Sequence, residues 1–112
     1  MKRATKPKAL AAENQAIIDQ VRQKDRAIVL FYATWCPFSR RFLPIFEDYA
    51  RSNPEECISI IIDDRPDICE EYSIEYYPTV ILFKKGKVHG RLDAEPGIGL
   101  NEKQLKDLIE NP

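Results

Sequence analysis

Residues 27–38 read Ala-Ile-Val-Leu-Phe-Tyr-Ala-Thr-Trp-Cys-Pro-Phe. The first seven are apolar without interruption and rich in β-branched and aromatic side chains. Such a run suits a strand covered on both faces, the pattern of a parallel or mixed sheet. Thr34-Trp35-Cys36-Pro37 then forms a strand-to-helix turn, because Pro37 fits the first helical position, where its missing N–H is not needed. The helix that follows is expected over Phe38 to Arg51, with Phe42, Ile45, Phe46 and Tyr49 as its apolar stripe. Pro44 should kink it, and Ser52-Asn53-Pro54 stops it.

Working outward, Cys57 to Ile62 (CISIII) reads as a second buried strand, and Asp63-Asp64-Arg65-Pro66 opens a short helix through about Tyr72. Thr79 to Phe83 (TVILF) is a third strand. Lys85-Gly86 makes a tight turn, and Lys87 to Leu92 returns as a hairpin partner. Asp93 to Leu100 is a loop. Asn101 caps a last helix, with Gln104 three residues on as in a capping box, and Leu105, Leu108 and Ile109 facing the core. Upstream, Leu10, Ile17, Ile18 and Val21 recur at helical spacing from Ala9 to Lys24. The order is α-β-α-β-α-β-β-α. Alternation implies parallel pairing early and the tight turn antiparallel pairing late, so the fold class is α/β with a mixed sheet of about four strands and helices on both faces.

A chain of 112 residues is one domain's worth. We expect a basic tail over 1–8, which holds Lys2, Arg3, Lys6 and Lys8, and a single domain over 9–112. With 17 Lys plus Arg against 18 Asp plus Glu, the net charge of −1 argues against a nucleic-acid or anionic-membrane binder. No apolar run reaches the ~18 residues of a membrane-spanning helix. The basic start lacks an apolar core, so it is not read as a signal peptide. The expected setting is the reducing cytoplasm, and the expected state a monomer.

Cysteines make the sharpest statement. There are 3, so at least one stays unpaired. A zinc site would need all of them and His89 at irregular spacing, so neither a metal nor another cofactor is expected. Cys36 lies just past the carboxyl end of a strand, where open α/β sheets place their sites, and at the start of a helix, whose dipole and free N–H groups favour a thiolate. Arg40 and Arg41 follow within the first turn and add positive potential.

At these residues a family resemblance emerges. Phe31-Tyr32-Ala33-Thr34-Trp35-Cys36-Pro37-Phe38-Ser39 resembles the active-site segment of thioredoxins and of the catalytic domains of protein disulfide isomerases. Pro44 matches the helix-kinking proline of thioredoxins. Tyr77-Pro78-Thr79, followed by VILF and a Lys-Gly turn, looks like their cis-proline loop and hairpin. The resemblance implies the thioredoxin fold, with Pro78 cis beside Cys36 and Tyr77 offering its backbone to a bound substrate strand. Trp35, Phe38, Tyr76 and Tyr77 would form an aromatic rim around the thiol.

Two departures from the family pattern agree with each other. The fourth motif position, a second cysteine in the family, is Ser39. A dithiol reductase attacks with one cysteine and releases product with the second, and serine cannot take that second step. Ser39 is expected only to donate a hydrogen bond to the Cys36 thiolate. The buried acid that in the family helps deprotonate the second cysteine falls on Leu30, and its companion lysine on Ser59. Cys57 should lie at the other end of the sheet, about 17–20 Å away along the strand. Cys69, in the short helix, is nearer but outside the motif. Both are expected to be packing residues, His89 a surface residue, and the acidic stretch Asp63 to Glu71 a solvated face.

The resemblance therefore implies a single-thiol thiol–disulfide oxidoreductase with weak or no dithiol reductase activity. Cys36 would form mixed disulfides with client proteins or small thiols, and an external thiol would complete turnover. One alternative is a peptide-binding module that uses the aromatic rim and the cis-proline groove without exchange. A weaker one is a glutaredoxin-like protein that holds an iron–sulfur cluster with glutathione. Trp35, Pro37 and Tyr77-Pro78-Thr79 speak against that one.

Overall fold

The computed structural model describes residues 16–63 and 65–110. The expected tail 1–8 and the expected helix start at Ala9 lie outside them. Residues 16–23 are helical (α1). The remaining elements are β1 (Arg26–Tyr32), α2 (Pro37–Ser52), β2 (Cys57–Ile61), α3 (Pro66–Glu71), β3 (Thr79–Lys84), β4 (Lys87–Asp93) and α4 (Glu102–Glu110). The four strands form one sheet in the order β2-β1-β3-β4. β1 pairs parallel with β2, with Ile28 opposite Cys57 and Tyr32 opposite Ile61. β1 runs antiparallel to β3, as does β3 to β4. The mixed sheet expected from the alternation and the tight turn is thus the one observed.

The central position of β1 follows from its composition. Its five interior residues are fully buried, and alternate side chains enter opposite cores. Val29, Phe31 and Ala33 pack with Val21, Ile60, Ile68, Ile74 and Ile81 under α1 and α3. Ile28 and Leu30 pack with Phe42, Phe46, Leu82, Leu105 and Leu108 under α2 and α4. Leu30 is completely buried in this second core. A carboxylate there would be desolvated among aliphatic and aromatic groups, at several kcal/mol in principle. Its register partner on β2 is Ser59, which is exposed.

Phe42 and Phe46 have no solvent exposure and lock α2 onto the sheet. Truncating either should cost about 3–5 kcal/mol. The rigidity of α2 fixes its N-terminal end, where Cys36 stands. α4 closes the same face. Its capping box is complete, with the Asn101 side chain accepting from the Gln104 N–H and the Gln104 side chain from the Asn101 N–H, each at 2.9 Å.

Element ends differ from expectation by one or two residues. β1 stops at Tyr32 rather than Ala33 because the Ala33 N–H donates to the Ser39 hydroxyl and the Ala33 carbonyl accepts from the Cys36 N–H, 3.2 Å each. Those bonds turn the chain out of the sheet. Among the described residues, no helix is long and apolar enough to cross a membrane.

Candidate functional site

The site forms where three segments converge at the carboxyl end of β1. The first is the turn 33–38. Cys36 occupies the N-cap of α2 in an extended conformation, Pro37 follows at the first helical position, and the Cys36 carbonyl accepts the first helical bond, from the Arg40 N–H at 3.0 Å. Cys36 has no side-chain capping bond, so the N–H groups of the first turn stay directed toward the site. Its side chain is 7 % exposed.

The second segment is the loop 72–78. The Tyr77–Pro78 peptide bond is cis. The Cys36 sulfur lies 3.7 Å from the Tyr77 carbonyl oxygen and donates to it. Trp35 meets the Tyr77 ring edge-on, with centroids 5.6 Å apart. The third segment is the compact loop 94–99, closed by a bridge between Glu95 and Gly99 and joined to the second by the Ala94 N–H, which donates to the Pro78 carbonyl at 3.1 Å.

These walls enclose a groove of about 180 Å³ lined by Cys36, Phe38, Glu75, Tyr76, Tyr77 and the 94–97 stretch. On the other side of the Trp35–Tyr77 pair lies a wider hollow of about 450 Å³, which Cys69, Ile62 and Pro66 help to line. Phe38, Tyr76 and Tyr77 line the same groove as Cys36. Trp35, at 64 % exposure, faces the neighbouring hollow instead.

Ser39 corrects one expectation. Its side chain is fully buried, and its hydroxyl accepts from the Ala33 N–H. Among the described residues no hydrogen bond joins it to Cys36. The thiol proton is directed to the Tyr77 carbonyl, and the serine oxygen is held by the turn. Ser39 therefore shapes the loop that presents Cys36. Arg41 is also redirected. Its guanidinium lies over the Phe38 ring, 5.4 Å from the centroid, and donates to the Ile98 carbonyl. Gly99 allows this approach, since its φ is +83° and a Cβ there would stand 2.8 Å from the guanidinium. Arg40 is exposed and lies outside the groove lining.

The other thiols are distinct. Cys57 starts the edge strand β2 and pairs with Ile28, four residues before Tyr32 on β1. Burial, then the neighbouring Glu56 carboxylate, pushes its thiol up to about 11, against a smaller opposing effect of Arg26. Cys69 is half-buried in the second hollow. Burial raises its pKa, and a hydrogen bond from the Tyr77 side chain only partly offsets that. Tyr77 in turn is raised, by burial first and then by the thiols of Cys69 and Cys36 on either side. His89 is exposed on β4.

Two supports were not anticipated. Asp63, expected on a solvated face, accepts hydrogen bonds from both the backbone N–H (3.0 Å) and the hydroxyl of Thr34, which ties the turn before Trp35 to the end of β2. Arg91, on β4, donates to the Tyr72 carbonyl at 2.8 Å and the Ser73 carbonyl at 3.4 Å, and forms an ion pair with Asp93 at 2.7 Å. Buried Thr79 shares its hydroxyl between the Tyr76 carbonyl, 2.8 Å, and Asp93, 3.2 Å. Together they anchor both ends of the 72–78 loop. An Arg-x-Asp pair on a hairpin strand facing Thr79 was the available sequence signal.

The sequence and the fold are similar to those of known proteins. The family described as Thioredoxin matches residues 8–111. A thioredoxin of Mycoplasmoides gallisepticum is 34% identical over 100 residues, which span 87% of this chain and 95% of that one. Endoplasmic reticulum resident protein 44 of Bos taurus is 33% identical over 90 residues, 73% of this chain but 22% of that protein, so the chain spans about a fifth of that relative's length. Oxidised mitochondrial thioredoxin 3 of Saccharomyces cerevisiae superposes with a TM-score of 0.73 at 26% identity, covering 88% of this chain and 89% of that one.

Proposed function

The chain belongs to the thioredoxin family, a family of thiol–disulfide oxidoreductases, and from that premise we propose that it works through a single cysteine, Cys36. The observation that supports this most is the pairing of positions 36 and 39. The one thiol at the site stands at a helix N-terminus beside the cis-proline loop, and a buried serine occupies the place from which a second thiol would resolve it. The Cys36 thiolate attacks one sulfur of a client disulfide. A bond forms between the two sulfurs, the other half leaves as a thiolate and takes up a proton, and Cys36 is oxidised as the client half is reduced. An external thiol then attacks the mixed disulfide and restores Cys36. Phe38 lines the groove beside the thiol in this reading, Pro37 starts the helix behind it, Trp35 and Arg40 lie on the exposed approach, and Tyr77 and Pro78 offer backbone to the client strand.

The clients are protein disulfides or small-thiol mixed disulfides. The chain acts as a monomer in the cytoplasm, where Cys57 and Cys69 stay reduced. Its domain begins near residue 9, after the basic tail. The assay is insulin reduction set beside transfer from a glutathionylated peptide. We expect transfer, with insulin reduced at no more than the background rate of the dithiol donor. Rapid insulin reduction without transfer would contradict the reading. The exposed rings of Trp35 and Tyr76 favour a second reading, a peptide-binding module without exchange. Peptide binding undiminished by Cys36→Ala, with no exchange in the parent chain, would select it.

A further inference from the structure

The groove at Cys36 has a charge that the exchange chemistry does not require. Two of its three walls present a carboxylate, Glu75 from the cis-proline loop and Glu95 from the loop 94–99. Both are exposed, and among the described residues neither forms an ion pair or a side-chain hydrogen bond. Carboxylates that serve the fold look different in this protein. Asp63 is bound to Thr34, and Asp93 to Arg91 and Thr79.

The cations of the adjoining helix turn, Arg40 and Arg41, both lie outside the groove lining. The Arg41 guanidinium rests on Phe38 and is bound to the Ile98 carbonyl. The neighbouring hollow carries Asp63 and Glu70 against Arg65, so the wider surroundings do not reverse the sign. The same lining holds the rings of Phe38, Tyr76 and Tyr77 together with Cys36.

On the reading of Cys36 as the exchanging thiol, we propose that Glu75 and Glu95 set its substrate class, disulfides flanked by positively charged groups. A cysteine in a basic, extended peptide segment would lay its backbone along the Tyr77 carbonyl, with lysine or arginine on either side reaching the two carboxylates. Both carboxylates meet water, so they act mainly on encounter and on the loose complex, and salt weakens them. Glutathione disulfide, with its excess of carboxylates, is repelled by the same groups.

The test measures the rate of mixed-disulfide formation at Cys36 with three small disulfides: cystamine, which is cationic, hydroxyethyl disulfide, which is neutral, and glutathione disulfide, which is anionic. Each rate is divided by that of mercaptoethanol with the same disulfide, which removes leaving-group differences. At low salt the normalised rate should favour cystamine over the neutral disulfide on the order of tenfold, with glutathione disulfide below both. The spread should close at about 1 M salt, where the Debye length is ~3 Å, and it should shrink in Glu75→Gln/Glu95→Gln at low salt. Equal normalised rates at low salt, or a preference for glutathione disulfide, would overturn the inference. A preference for cystamine that the double variant keeps would overturn its assignment to these two residues. If no disulfide reacts at Cys36, the failure lies with the single-thiol reading itself.

Discussion

Cys36 and Cys57 flank the same pair of parallel strands at opposite ends, and their surroundings share little. Cys36 is the more buried of the two, at 7 % exposure. It stands where a strand stops and a helix begins, so backbone N–H groups without helical partners lie ahead of it and a carbonyl lies 3.7 Å from its sulfur. Cys57 begins the edge strand, with Glu56 beside it and Arg26 within electrostatic reach, and burial together with the carboxylate pushes its thiol up to about 11. On the proposed role of Cys36, exposure is a poor guide to which cysteine reacts in this protein. Position at a junction of elements, with dipoles aimed at the sulfur, separates the two.

Deletion is the strongest way to break the comparison. Cys36→Ser should abolish mixed-disulfide formation with hydroxyethyl disulfide, while Cys57→Ala keeps the parental rate within about twofold. Intact-mass time courses read both. If removing Cys57 instead abolished the adduct, the two cysteines would have to exchange roles.

The next effect comes from restoring what position 39 lacks. Ser39→Cys should shorten the lifetime of a Cys36–client mixed disulfide by on the order of tenfold or more, as a neighbouring thiol displaces the client. Stopped-flow release of a fluorescent client thiol reports it. Leu30 sets a ceiling on the gain, since no carboxylate is present to take the new thiol's proton.

A smaller effect sharpens the account of the loop that faces Cys36. Arg91→Gln should lower unfolding stability by about 1–3 kcal/mol, because two backbone carbonyls and a carboxylate lose a charged donor. Thr79→Val should cost about 1 kcal/mol. Urea unfolding measures both, and substitution of the distant, exposed His89 should change nothing measurable.

The smallest effect concerns pH. The ordinary thiol value of 9.0 is raised to about 11 at Cys57, so across that window the unfolded chain releases a proton that the folded chain keeps. Stability should fall as pH rises from 9.0 toward about 11. Cys57→Ala should flatten that slope. The raised tyrosines, Tyr72 and Tyr77 among them, add a fall of the same sign above 10.0, which the variant retains. Urea midpoints at the two ends of the window, in parent and variant, read the difference.

Much of this was legible in the amino-acid order because it rests on local rules. The uninterrupted run in β1 signals a strand buried on both faces. The spacing of Phe42 and Phe46 signals the buried side of α2, and Asn101 with Gln104 signals the cap of α4. Position at a strand end and helix start singled out Cys36. What escaped depends on residues that meet only through the fold. Asp63 reaches Thr34 across 29 positions, and Arg91 reaches Tyr72 and Ser73 across 19 and 18. Asp63 carries no local signal of its role, and Arg91 carries only its spacing from Asp93 on the hairpin strand. Ser39 was legible as the position that lacks a thiol. Its bond to the Ala33 N–H depends on the curl of the turn, which only the three-dimensional path defines.

The central claim is that one thiol begins the exchange and no second thiol in the chain completes it. Intact mass and peptide mapping after reaction with excess hydroxyethyl disulfide test that most directly. The account predicts an adduct on Cys36 that persists until an external thiol is added. An intramolecular Cys36–Cys69 bridge, formed as the adduct is lost, would contradict it.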